Sequence, residues 1–148
     1  MLITAPNKNH ISLFLAGSIE MGNADDWQKR AIAQLERENV IIYNPRREDW
    51  DSSWVQDISN SKFYEQVKWE LDALDKADFI LMHFEPDTMS PITLLELGLY
   101  ASSGKLIVSC PKGFWRRGNV EIVCKKYLIP FFTDLDNMLD SFKKRYLL

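Results

Sequence analysis

The sequence predicts an α/β domain built on a parallel sheet, and three observations lead there. Short aliphatic and aromatic runs recur along the chain: Ile11–Leu15, Val40–Tyr43, Phe79–Phe84 and Lys105–Cys110. Stretches with helical spacing of apolar residues separate them. The runs are continuous rather than alternating, as in Leu106-Ile107-Val108, which suits strands covered by helices on both faces.

Each element follows in order. Ile11–Leu15 is a strand that ends at Ala16-Gly17-Ser18, and Asn23-Ala24-Asp25-Asp26 supplies a start for a helix over Trp27–Glu38. Val40–Tyr43 is a strand stopped by Asn44-Pro45. Residues 46–59 are polar but hold Trp50 and Trp54, and read as a long loop of the kind that often serves function. A helix over Ser61–Lys76, a strand over Phe79–Phe84 and a loop over 85–89 come next. The helix that holds Glu96 ends near Gly104, and Lys105–Cys110 is a fourth strand. After a loop at 111–118 come a short helix over Val120–Lys126 and a fifth strand at Pro130–Phe132. The last helix, Asp134–Tyr146, places Leu135, Met138, Leu139 and Phe142 on one face. No repeat or linker interrupts the chain, so residues 1–148 form one domain. The expected architecture is a flavodoxin/Rossmann-like three-layer sandwich, with about five parallel strands and helices on both faces. Ligands in such folds bind beyond the carboxyl ends of the strands, where loops 16–24, 44–59 and 84–91 should converge.

Composition narrows the function. A net charge of −3 calls for neither nucleic acid nor anionic lipid, and the late basic residues Lys112, Arg116, Arg117, Lys125 and Lys126 read as a solvated face. Cys110 and Cys124 form no C-x-x-C and lie among apolar residues, as reduced thiols of a cytoplasmic protein do. His10 and His83 match no metal-ligand spacing, so no metal is expected. No signal peptide and no membrane-length apolar run is visible. Neither G-x-G-x-x-G nor G-K-[ST] occurs, so no cofactor is called for.

Glu96 is the most informative residue. It stands alone in Ser90-Pro91-Ile92-Thr93-Leu94-Leu95-Glu96-Leu97-Gly98-Leu99, where an acid is costly unless it is paired or used. Pro91 suits a helix start, Ser90 could cap it, and Glu96 would then lie near the positive end of the macrodipole. An ionised, dry carboxylate there could attack a sugar carbon; a structural Glu paired with an Arg fits the bare residues equally well. Glu70, or Asp72 as a fallback, could complete a pair of carboxylates for glycosidic cleavage, though Glu70 reads equally as a surface charge. Gly17-Ser18-Ile19 offers a close backbone approach for a ligand, and Trp50 an aromatic wall.

Four segments together resemble a known family. They are Phe14-Leu15-Ala16-Gly17-Ser18-Ile19, Ala77-Asp78-Phe79-Ile80, Leu95-Glu96-Leu97-Gly98 and Gly104-Lys105-Leu106-Ile107. Over about residues 11–120 the chain resembles the nucleoside 2-deoxyribosyltransferases and the related deoxynucleoside 5′-monophosphate N-glycosidases. The resemblance implies that Glu96 attacks C1′ of a 2′-deoxynucleoside, expelling the base. A second base, or water, then takes the sugar. It puts Glu70 at the place of the family's proton-donating Asp. It also implies an oligomer, a dimer or larger, with Asn119 reaching a neighbouring site; read without the resemblance, Asn119 fits a helix cap equally well. Four positions depart from the pattern. Glu70 itself replaces an Asp, one methylene shorter; Phe14 replaces a Tyr that orients the nucleophile; Ser90 replaces the transferases' Asp that touches the base, though the glycosidases have a serine there; and Glu20 replaces the glycosidases' phosphate-binding Arg. Glu20 would repel a 5′-phosphate unless Arg46, Arg47, Arg116 or Arg117 supplies the missing charge. The expected ligand is therefore a nucleoside or nucleobase. A non-catalytic nucleotide-sensing module, or a hydrolase of a monophosphate or another ribosyl bond, is the alternative.

Overall fold

Strand β1, Ile11–Gly17, is the axis of the fold and is buried almost throughout. The computed structural model describes residues 10–19, 25–46 and 55–147. Trp50, Trp54, Glu20, Arg47 and the helix-start residues Asn23 and Ala24 lie outside the described residues. After β1 come α1 (Trp27–Leu35), β2 (Val40–Tyr43), α2 (Ser61–Lys76), β3 (Phe79–His83) and α3 (Pro91–Tyr100). Then follow β4 (Leu106–Ser109), α4 (Arg117–Lys126), β5 (Phe131–Phe132) and α5 (Leu135–Phe142), closed by a π-helical turn at Lys143–Leu147. The five strands are parallel, in the order β2-β1-β3-β4-β5. The order reverses between β1 and β3, and the helices divide between the faces, α2, α3 and α4 on one and α1 and α5 on the other. This is the three-layer parallel architecture expected from the sequence.

Alternation along β1 divides the core. Phe14 and Ala16 pack with Ala73 and Leu74 of α2, Leu97 of α3 and Val120 and Cys124 of α4. Leu13 and Leu15 pack with Trp27, Ala31 and Leu35 of α1 and Leu135, Met138 and Leu139 of α5. Side-chain oxygens start three of the helices. Asp26 accepts from Lys29 N, Asn60 from Lys62 N and Phe63 N, and Asp134 from Asn137 N.

Some bounds differ from the sequence reading. α1 ends at Leu35, because Glu36-Arg37-Glu38-Asn39 offers nothing apolar to bury and Glu36 turns extended (φ −62°, ψ 122°). α4 begins at Arg117, so Asn119 lies inside its first turn and is not the cap that the sequence allowed. The last helix gives way to the π-helical turn, which brings Tyr146 against Phe79 and Phe142, with ring centroids 4.5 and 5.0 Å apart.

Two of the recognisable sequence segments act as clamps. Asp78 Oδ2 accepts from Ser12 N at 2.9 Å and from Ser12 Oγ at 3.1 Å, while Asp78 N donates to Ser12 O at 3.0 Å. This fixes the register of β1 against β3 at the amino end of the sheet. Gly104 takes a positive φ of 78°, and Lys105 turns back so that Nζ donates to Leu74 O at 2.8 Å and Asp75 O at 2.9 Å. Those are last-turn carbonyls of α2, which a cation satisfies well. Tyr100 Oη completes the clamp by donating to Asp75 Oδ1 at 2.7 Å. Replacing Asp78 by Ala leaves the Ser12 N–H without its acceptor, and should lower unfolding free energy by about 1–3 kcal/mol in urea titrations. Asp78→Asn keeps one acceptor oxygen and should lose less.

Candidate functional site

The carboxyl ends of β1 and β3 form the centre of the site, at the point where strand order reverses. Gly17 is wholly enclosed there. A Cβ on it would lie 2.4 Å from the His83 carbonyl oxygen and 2.4 Å from Cζ2 of Trp27. The indole rests where a side chain would be and donates from Nε1 to Ser18 O at 3.2 Å. Packing therefore requires the glycine, independently of any ligand that reaches its backbone. Ser18 is fully buried, and Ile19 is half-buried at the rim.

Three hydroxyls meet beyond the strand ends. Ser18 Oγ lies against Ser90 Oγ and 3.0 Å from Thr88 Oγ1, and the Thr88 and Ser90 oxygens are 2.6 Å apart. Glu85 N donates to Ser18 Oγ at 2.9 Å. Ser90 is the residue before α3, but it makes no side-chain cap. Its backbone is left-handed (φ 48°, ψ 53°), which turns Oγ toward Ser18 and Thr88 rather than toward the first N–H groups of the helix. A non-glycine residue held there costs roughly 1–2 kcal/mol, and the hydroxyl cluster offsets it. Thr88 is a site residue that the sequence reading passed over; its only signal was a place in the loop after the third strand.

Glu96 faces inward from α3 and is 7% exposed. Burial first, and the charge of Glu70 second, push its pKa from 4.5 up to about 8. Burial also raises Glu70, against a hydrogen bond from Gln66 that lowers it. The expectation of an ionised Glu96 at rest is corrected here. Glu96 is the sixth residue of α3, beyond the single turn over which the macrodipole acts, and no hydrogen bond or cation among the described residues holds its charge. The structural alternative, a Glu locked to an Arg, finds no such Arg among the described residues. The repulsion is mutual, so the two groups titrate as one coupled system.

The remaining candidates are spread more widely. Asn119 is exposed on α4. Asp72 is exposed and paired with Lys68 at 3.1 Å, which leaves Glu70 as the acid near Glu96. Phe14 is fully buried and packs 6.3 Å from Trp69; its partner in register on β2 is Tyr43, whose ring is 6.4 Å from the same Trp69. Of the arginines that could meet a phosphate, Arg117 donates to Cys110 O at 3.3 Å and Glu121 at 3.1 Å, and Arg46 donates to Asp25 O at 2.9 Å. Arg116 lies over the Trp115 ring at 4.6 Å.

On the other face of the sheet, His83 joins Ser109 Oγ at 2.6 Å to Glu85 Oε1 at 3.1 Å. The order is that of a hydrolytic triad, but Ser109 is fully enclosed and offers no approach to a substrate. The relay holds Glu85 below the usual carboxylate range, chiefly through the His83 hydrogen bond. Two surface hollows, of about 670 Å³ beside α5 and about 250 Å³ beside β5, touch neither acid. No helix among the described residues is long and apolar enough to cross a membrane, and no cluster of His, Cys, Asp and Glu there is arranged for a metal.

Comparison with known proteins bears on the fold and the family. The crystal structure of a conserved protein from Enterococcus faecalis V583 is similar over 92% of this chain and 99% of that one, with a TM-score of 0.64 at 11% identity. That likeness establishes the fold. No curated protein matches the sequence. The family model described as nucleoside 2-deoxyribosyltransferase like matches residues 10–114, a span that includes Ser18, Glu70, Ser90 and Glu96 and stops just short of Asn119. The chain belongs to the nucleoside 2-deoxyribosyltransferase-like family.

Proposed function

We propose that this chain cleaves the N-glycosidic bond of a 2′-deoxynucleoside and transfers the deoxyribosyl group to another nucleobase or to water. The observation that carries this reading is the pair Glu96 and Glu70, two desolvated carboxyls with raised pKa values that feel each other's charge. Such a pair retains a proton where isolated acids would have lost it. At rest that proton is on Glu96, whose pKa is pushed up to about 8; the reactive form is the one in which the proton has moved to Glu70 and Glu96 is a bare carboxylate. Its oxygen bonds to C1′ as the C1′–N bond breaks, and the bond's electron pair leaves with the base. Glu70 supplies the proton that the departing base needs. In the second step an incoming base nitrogen, or water, attacks C1′; the ester C–O bond breaks, Glu96 regains its charge and the released proton returns to Glu70.

Thr88, the half-buried member of the neutral hydroxyl trio, would meet the uncharged part of the ligand, with the enclosed Ser18 and Ser90 holding it from behind. An unphosphorylated nucleoside suits the site, since Arg46 and Arg117 are engaged within the chain. We also propose a homo-oligomer. The outer face of α3 exposes Ile92, Leu95 and Leu99, with Met89 before it and Ile122 of α4 also exposed. A second copy seated there would bring Asn119 toward the neighbour's site, as the family resemblance implies. The buried Phe14, which brings no hydroxyl to Glu96, favours one other reading: a non-catalytic nucleotide-binding module of the same fold.

Incubation with deoxyinosine and adenine should give deoxyadenosine by transfer or free deoxyribose by hydrolysis, both read by chromatography. Glu96→Gln should abolish either product, and unchanged turnover in that variant overturns the mechanism. Binding of nucleosides by calorimetry without turnover supports the non-catalytic module. Stability gives an independent check. Glu96 binds its proton more tightly when folded, so the wild type should lose stability as pH rises from about 4.5 to about 8 and then level off. Glu96→Gln has no proton to lose, and should flatten that slope and gain on the order of a few kcal/mol over wild type at pH 9. Urea unfolding at pH 5 and pH 9 measures the difference.

A further inference from the structure

Gln66 is a buried polar side chain on α2 to which neither the sequence nor the reaction above gives a role. Its Nε2 lies 3.3 Å from Pro45 O and 3.0 Å from Glu70 Oε1. A peptide carbonyl only accepts, so the group facing Pro45 must be the NH₂ and the orientation of the amide follows. The same NH₂ donates to Glu70, so Oε1 of Glu70 is an acceptor. When Glu70 holds a proton, that proton is therefore on Oε2.

We propose that Gln66 is the positioning residue for Glu70: it fixes the carboxyl, assigns its transferable proton to Oε2, and ties the acid to the chain leaving β2. Pro45 lies just past the carboxyl end of that strand, and one turn of α2 separates Gln66 from Glu70. The contact is specific to the charge state of Glu70, because a hydrogen bond to a carboxylate favours the ionised form. Gln66 thus opposes the burial that raises Glu70, and keeps the acid within range of releasing its proton. The catalytic half of this inference rests on the proposed function; the hydrogen-bond half does not.

The test uses the wild type, Gln66→Met, Glu70→Gln and the double variant, with ¹³C-labelled glutamate carboxyls and ¹⁵N-labelled glutamine amides. In Gln66→Met the Glu70 carboxyl should titrate at least about half a pH unit higher than in wild type. Glu96, facing a neighbour that is charged less often, should titrate lower. Turnover should fall on the order of tenfold, mainly in kcat, with its basic limb moved to higher pH. In the Glu70→Gln background the same Met substitution should change kcat by less than about twofold. Gln66→His, which retains an N–H donor, should restore part of the loss. An unmoved Glu70 midpoint in folded Gln66→Met, or independent kcat losses in the double variant, overturns the proposal. If the Met variant does not fold, the wild-type Gln66 amide resonance decides. It should shift with the Glu70 titration and stop doing so in Glu70→Gln, and an amide that ignores both overturns the proposal. Should the Glu70 midpoint move while the wild type turns over no nucleoside, the proposed function fails and the Gln66–Glu70 coupling stands.

Discussion

Two carboxyls, Glu70 of α2 and Glu96 of α3, are largely withdrawn from water, and no cation among the described residues relieves them. A carboxylate moved out of water without a partner is among the costliest things a fold can hold. The chain meets the cost by keeping a proton on the pair, so the penalty grows only as that proton is lost. In the proposed reaction the same circumstance serves Glu96 as nucleophile, because no cation among the described residues neutralises it once it is bare. Stability and chemistry are opposed at one residue.

The rest of the structure holds those two helices in place. Lys105 and Tyr100 fasten the carboxyl-terminal end of α2, through the Leu74 and Asp75 carbonyls and the Asp75 side chain. Gln66 fastens the same helix to Pro45 nearer its other end. Beneath, Phe14 and Ala16 of β1 and Ile80 and Met82 of β3 make a fully enclosed floor. The opposite face does separate work. There Trp27 fills the space against Gly17, and His83, Ser109 and Glu85 satisfy one another. The two faces thus carry separate polar networks, and the two acids belong to the face of α2 and α3.

The segments that mark the family do unequal jobs. Ala77-Asp78 and Gly104-Lys105 lie at the amino edge of the sheet and hold strands and helix ends together. Leu95-Glu96-Leu97-Gly98 supplies the carboxyl, and Ala16-Gly17-Ser18 supplies a tight packing point and one hydroxyl. Sequence resemblance alone does not separate these roles, because a clamp and a reactive group leave the same mark in a motif. Their distance from the strands' carboxyl ends separates them.

Strand and helix order, the parallel sheet and the singular position of Glu96 are legible before folding, since hydrophobic period, turn residues and one acid in an apolar helix are all local signals. Local signals failed where a residue's state depends on neighbours remote in the chain. A place near a helix start points to an ionised Glu96, but burial first, and the charge of Glu70 on another helix second, set its proton affinity instead. Ser90 had the chemistry of a cap, and only its left-handed backbone with Ser18 waiting beyond β1 turned it away. Gln66 is four residues from Glu70, a spacing visible in the sequence, yet the Pro45 carbonyl that orients its amide arrives from the chain leaving β2. Charge, proton position and amide orientation are sums over contacts in space, and those sums exist only once the chain has folded.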